Sequence, residues 1–367
     1  MKTKKSVSKN KSHKSSKTIN KSKSLVKFLP DRLKYDVYKP KHLPKSVGRG
    51  VLDEEIQRFL NPPRGEGDPP KLGQDDLSSA NILYARKEHD KLLPGAFYDF
   101  KGTTGAILVP TKINNQPGFV TVRTFKPKGH TSKDGALLYM HGGGYTVGYL
   151  DQFEDTARIM SEFSGLMVFL IEYKLAPEYK FPHQLQEYAA VLNYVIDNHS
   201  SLKINPKKVV IAGDSAGGNM TCVMSQTYPD KICFGVPFYP EARLPFDTPA
   251  AIENRYGLYL ETAGILTFAY NYLTEHDDYN LPRITPMNGD LSVTAPNVII
   301  TNGYDPLRDV GFEYAEKLDK HNNLIELIHF PSFPHGWIQM THISDQALVS
   351  LKQVSKRIGE LANKMCK

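Results

Sequence analysis

From residue 118 onward the chain carries seven short apolar runs, most of them continuous rather than alternating. They are GFVTVRTF (118–125), ALLYMH (136–141), LMVFLIEY (166–173), KVVIAG (208–213), CFGVPFY (233–239), NVIITNG (297–303) and LIELIHF (324–330). Runs of this length, rich in β-branched residues, predict strands buried on both faces. Between them lie segments with helical spacing of apolar positions: 153–165, 184–198, 216–228, 309–321 and 344–365. Strand–helix alternation of this kind predicts an α/β fold, a mostly parallel central sheet flanked by helices. Two regions break the pattern. Residues 240–290, rich in Pro, Tyr and Leu, read as a helical or irregular insertion over the sheet, and residues 28–117 are mixed, with a helical patch at 52–60 and a Pro/Gly break at 61–70.

Charge divides the chain more sharply than hydropathy does. The formal net charge is +7, yet residues 1–27 alone hold ten lysines and no acid, which leaves the other 340 residues at −3. A Lys/Ser/Asn segment of this sort has too little apolar surface to order itself, so it is expected to be a disordered, solubilising tail. A contact with nucleic acid or an anionic surface is the alternative reading of those lysines. The expected organisation is therefore a basic tail, 1–27, and one domain, 28–367. The longest apolar runs are too short to span a bilayer. Three cysteines, Cys222, Cys233 and Cys366, show no C-x-x-C spacing. They are expected to be incidental thiols in a reducing, cytoplasmic compartment.

The chemistry enters at GDSAGGN (213–219), placed directly after the run VVIA. Strand, sharp turn and helix meet there with Ser215 at the apex, and Gly213 and Gly217 complete the G-x-S-x-G pattern of a nucleophile elbow. The amide after the serine opens a helix, where N–H groups are unpaired and the dipole favours negative charge. Alone the pentapeptide is weak, and a structural glycine turn explains it equally well. A second segment, HGGGYTVG (141–148), follows the run ALLYM and offers backbone amides to a developing oxyanion. A serine hydroxyl also needs a base, and the base an orienting acid. NVIITNGYDPLRD puts Asp305 just past a strand, and LIHFPSFPHGW puts His335 in a following loop thirty residues later. Asp309 stands in the same YDPLRD stretch, so the motif alone does not choose the acid. Position does favour Asp305, at the strand end. No metal-ligand spacing such as H-E-x-x-H occurs.

Taken together, HGGGYTVG, YKLAPEYKFP (173–182), GDSAGGN, GYDPLRD and PHGW resemble the hormone-sensitive-lipase-like family of α/β-hydrolases, over about residues 118–367. The resemblance implies an α/β-hydrolase fold without a cofactor, and a carboxylesterase or lipase acting on a small-molecule ester. It implies Ser215 as nucleophile, His335 as base, Asp305 as its partner, and an oxyanion hole from the amides of Gly143, Gly144 and Ala216. It also implies a cap built from about residues 28–100 and 240–290. Two positions depart from the family pattern: Lys174 stands where arginine is usual, and Val310 where an acid commonly follows DPLRD. A non-catalytic ligand receptor on the same scaffold is the rival reading, disfavoured by a full set of triad residues. Short to medium acyl chains are the expected substrates.

Overall fold

A computed structural model describes residues 35–61, 82–93, 95 and 97–366, all within one compact unit spanning Lys34–Lys367. The basic tail expected at 1–27 and most of the Pro/Gly break at 61–70 lie outside the described residues. Among the described residues nine strands form one sheet: β1 (Asp36–Tyr38), β2 (Thr103–Ile113), β3 (Gln116–Lys126), β4 (Ala136–Met140), β5 (Met167–Glu172), β6 (Val209–Asp214), β7 (Phe234–Phe238), β8 (Asn297–Tyr304) and β9 (Leu324–Pro334). Their order is β1-β9-β8-β7-β6-β4-β5-β3-β2. The six strands from β5 through β4, β6, β7 and β8 to β9 are parallel, and β1, β2 and β3 pair antiparallel at the two edges. Among the described residues ten α-helices accompany them: α1 (Glu54–Leu60), α2 (Ile82–Leu92), α3 (Glu154–Ser164), α4 (His183–Asp197), α5 (His199–Leu202), α6 (Ala216–Thr227), α7 (Pro249–Glu253), α8 (Thr262–Tyr272), α9 (Arg308–Lys320) and α10 (Asp345–Met365).

The continuous apolar runs are explained by burial of both faces. Alternate residues of one strand enter opposite cores. Leu137 and Tyr139 of β4, Val168 and Leu170 of β5, and Val210 and Ala212 of β6 pack with α3 and α10. Their neighbours Leu138, Met140, Phe169, Ile171, Val209 and Ile211 pack with α4 and α6. Helix boundaries follow local chemistry. Ser344 Oγ accepts the Ala347 amide at 3.1 Å to start α10, and α3 stops at Gly165, whose φ of 75° is the left-handed value a glycine takes without strain. Within residues 240–290 the chain forms α7, α8 and turns.

Two strands escaped the sequence pattern. β1 is three residues long, and β2 is exposed along its first half and contains Pro110, which an edge strand tolerates and a central one does not. One expectation about cysteine is overturned. Cys233, just before β7, and Cys366, just past α10, are joined in a disulfide with Cα atoms 5.7 Å apart, and Cys222 alone is a free, buried thiol. The pair lies 133 residues apart in sequence, a contact made only by folding, so spacing could not reveal it. Among the described residues no helix is long and apolar enough to cross a membrane.

Helix α10 lies so close to α3 that a side chain at Gly359 would overlap the Ser164 carbonyl. Alanine at an exposed helix site gains up to about 1 kcal/mol over glycine, but overpacking against backbone costs about 1–3 kcal/mol. Gly359→Ala is therefore expected to lower the urea midpoint. A raised midpoint would show that the two helices can move apart freely.

Candidate active site

Every group of the site stands at the C-terminal edge of the parallel strands. Ser215, between β6 and α6, has φ 56° and ψ −116°, a conformation costing a non-glycine residue on the order of 1–3 kcal/mol. Its surroundings enforce it. A Cβ on Gly217 would overlap the Met140 carbonyl, and one on Gly213 would overlap the Gly217 carbonyl. The turn can close only with glycine at both positions. Ser215 also occupies the position that opens α6, where a serine oxygen normally caps the helix, yet it makes no capping bond. The hydroxyl is left for another partner: Ser215 Oγ lies 2.8 Å from His335 Nε2.

On its other side the His335 ring is held at Nδ1 by Asp305 Oδ2, again at 2.8 Å. Asp305 is fully buried. Its carboxylate accepts the Leu307 amide at 2.8 Å and the Asn302 side-chain amide at 3.2 Å, and Asn302 in turn accepts the Trp337 indole N–H at 2.9 Å. The Trp of PHGW thus braces the acid that faces the His of the same motif. Tyr239 packs edge-on against the His335 ring, with centroids 4.7 Å apart. Sequence reasoning missed both Asn302 and Tyr239, because each ends an apolar run and carries no motif.

The glycine segment approaches the elbow from β4. Gly143 and Gly144 have φ of 110° and 56°, and side chains there would overlap the Val147 carbonyl and the Phe268 ring. Among the described residues the amides of Gly143, Gly144 and Ala216 donate no hydrogen bond, so three donors stand open beside the serine's turn. The loop is anchored from beneath. His141 stacks between Phe153 and Tyr173, at centroid distances of 4.8 and 4.2 Å, and burial pulls its pKa down to about 4, which keeps it neutral. Asp214 Oδ1 accepts both the Gly142 amide at 2.8 Å and the Tyr139 hydroxyl at 2.6 Å. One carboxylate therefore ties the nucleophile's turn to the donor loop.

Comparison with known proteins bears on the family and the fold. Residues 137–339 match the family model described as alpha/beta hydrolase fold. The chain belongs to the α/β-hydrolase family. It is 32% identical over 319 residues to the carboxylic ester hydrolase LipN of Mycobacterium tuberculosis, covering 80% of this chain and 81% of that protein. It is 33% identical over 227 residues to the carboxylesterase NlhH of the same organism, covering 60% and 71%. Among solved structures, an ester hydrolase from the Lake Arreo metagenome, bound to a bipyridine phosphonate derivative, superposes with a TM-score of 0.76 at 26% identity, covering 84% of this chain and 99% of that one.

Both departures from the α/β-hydrolase pattern have structural settings. The Lys174 amide donates to Glu187 Oε2 at 2.8 Å and its ammonium lies 3.5 Å from Oε1, so lysine supplies the charge facing that buried carboxylate. Val310 is fully buried beside Leu307, Ile265 and Phe268, where an acid would be desolvated. Asp309 turns away from the histidine. It accepts the Ala250 amide and the Arg308 guanidinium, each at 2.8 Å.

Burial raises the Asp214 carboxyl from its ordinary 3.8 to about 6, against the lowering effect of the Tyr139 hydrogen bond. Between about pH 4 and 6 the native state then holds a proton that the unfolded chain has released, so stability falls as pH rises through that window. The full effect is about 3 kcal/mol. Asp214→Asn keeps an oxygen for Gly142 and Tyr139, and it should lose that part of the slope in urea titrations at pH 4, 5, 6 and 7. An unchanged slope would mean the carboxyl ionises normally in the fold.

Proposed function

We propose that this protein hydrolyses carboxylic esters through an acyl-enzyme formed on Ser215. His335 Nε2 takes the hydroxyl proton as Oγ attacks the acyl carbonyl, and Asp305 holds the ring in the tautomer that can accept it. The amides of Gly143, Gly144 and Ala216 receive the oxyanion, the largest electrostatic contribution in such catalysis. His335 passes the proton to the departing alkoxide. Water, deprotonated by the same nitrogen, then attacks the acyl carbon and releases the acid. Each step is complete with the chain's own groups and water.

The observation that carries this reading is the unbroken line Asp305–His335–Ser215, two contacts of 2.8 Å, ending at a serine whose helix forgoes its cap. A receptor on this scaffold would have no need of either feature. The segments 28–100 and 240–290 are proposed to act as the cap. Support comes from α8, whose Phe268 ring lies where a side chain on Gly144 would stand. Short to medium acyl chains and a small-molecule ester as sole partner in catalysis belong to the same proposal; the cytoplasmic location expected from free thiols loses that support, because Cys233 and Cys366 are bonded.

A panel of p-nitrophenyl esters of rising acyl length tests it. Ser215→Ala should fold and lose roughly 10⁶-fold in kcat, because nucleophile and base act as a unit. Comparable cleavage by the alanine variant would refute the mechanism. The acid is tested separately. Asp305→Asn should cost about 10⁴-fold in turnover, as loss of the orienting acid does in serine proteases. Asp309→Asn should instead remove about 1 kcal/mol of stability, by weakening its bonds to Ala250 and Arg308. The opposite ranking, measured on folded protein, would reassign the acid.

A further inference from the structure

Two of the open donors are aimed by the carbonyls that share their peptide planes. Across a trans peptide the N–H and C=O point opposite ways, and both peptides concerned are trans. Gly142 O, in the plane of the Gly143 N–H, accepts from His141 Nδ1 at 2.7 Å, and His141 is itself clamped between aromatic rings. Gly143 O, in the plane of the Gly144 N–H, accepts the amides of Thr146 and Val147, both at 2.9 Å. The Gly144 donor is therefore aimed by the turn 143–147. That turn carries strain, since Tyr145 sits at φ 61° without being a glycine.

The turn is held closed from outside. The Ala176 amide donates to Tyr145 O at 2.8 Å, and Arg86 of α2 donates Nε to Thr146 O at 2.8 Å. The same guanidinium gives Nη2 to Ala176 O at 2.8 Å, so it brackets both segments. Glu178 fixes the fork, accepting Nη1 at 2.8 Å and Nη2 at 2.7 Å. Thr146 and Ala176 are fully buried, and among the described residues neither carbonyl accepts from any other donor. Without Arg86, two buried acceptors would be left bare. The helix does not depend on Arg86 for its place. Ile82 and Leu93, at its two ends, are buried. One turn beyond Arg86, on the same face, His89 Nε2 meets Tyr259 Oη at 3.0 Å, and the Tyr259 ring covers Gly336, the neighbour of His335.

We infer that Arg86 is a positioning residue for the oxyanion hole: its guanidinium, held by Glu178, keeps the turn 143–147 closed and so aims the Gly144 amide. The inference rests on the ester-hydrolase reading and adds that α2, in the segment proposed as cap, sets the strength of the hole. Lysine could not replace it. An ammonium is a single point charge, whereas the planar fork spans two carbonyls and a carboxylate at once.

The experiment follows p-nitrophenyl butanoate cleavage by Arg86→Ala, Arg86→Lys and Glu178→Gln. Acylation and deacylation both pass through an oxyanion, so Arg86→Ala should lower kcat about 10- to 100-fold and leave KM within about threefold. Arg86→Lys keeps the pair with Glu178, and with it the fold, yet should still lose about tenfold in kcat. Glu178→Gln retains both carbonyl bonds and should stay within about threefold of wild type. Millimolar ethylguanidinium should restore turnover to Arg86→Ala and leave wild type unchanged. The hole is read directly with 1,1,1-trifluorohexan-2-one. Ser215 Oγ adds to its carbonyl carbon, the hydroxyl proton passes to His335, and the π pair becomes an oxyanion. The Ki for this ketone should rise in Arg86→Ala by the factor by which kcat/KM falls. A raised KM with unchanged kcat, full turnover in Arg86→Lys, or a loss in Glu178→Gln as large as in Arg86→Ala overturns the inference. Wild-type cleavage that Ser215→Ala abolishes would still uphold the ester-hydrolase reading in each of those cases. Ketone binding equally tight in wild type and both Arg86 variants would refute the positioning role even if no ester were cleaved.

Discussion

The first turn of α6 passes so close to the end of β4 that the Met140 carbonyl fills the space a side chain on residue 217 would need. Much of the site follows from that approach. It demands glycine at 213 and 217, forces Ser215 to φ 56°, and lifts the hydroxyl clear of the helix it would otherwise cap. It also sets the nucleophile's turn beside the segment that continues β4, which is the donor loop. Parallel neighbouring strands β4 and β6 make this possible, because both deliver their following loops to one edge. The backbone strain at the serine is held by two buried cores, one on each face of the sheet.

Electrostatics at this edge is arranged by burial more than by charge pairs. Asp305 sits with no exposed surface among two amide donors and an imidazole, while His141, at the end of β4 three strands away, is kept neutral by burial among aromatic rings. Asp214 is a different case. Desolvation works against its charge, yet its position lets one oxygen fasten the donor loop to the elbow. Two aspartates in one small volume thus differ in what they can do. One faces an imidazole and the other is a tether.

Much of this was legible in the sequence, for reasons that particular residues make plain. Strands β4 to β9 read clearly because both faces are buried, so no polar alternation obscures the run. Asp305 falls at a strand end and lies 2.8 Å from His335 Nδ1, while Asp309 accepts from Ala250 and Arg308. What could not be read depends on contacts between distant segments. The disulfide of Cys233 and Cys366 is one instance, and the bracing of Asp305 by Asn302 and Trp337 is another. β2 was hidden because an edge strand exposes one side and tolerates Pro110, which in a central strand would remove a ladder bond.

Ser215, Asp305 and His335 lie in loops that follow parallel strands, so the order of the strands brings them to one edge. The insertion near that edge is assembled otherwise, from the loop after β7, α8 and the turns near residue 284, segments with no regular alternation. α8 bears on the oxyanion loop through Phe268, and Val310 completes the apolar seam beneath it. Valine at 310 keeps that seam apolar, so on this side the glycine loop is held by packing rather than by a buried charge.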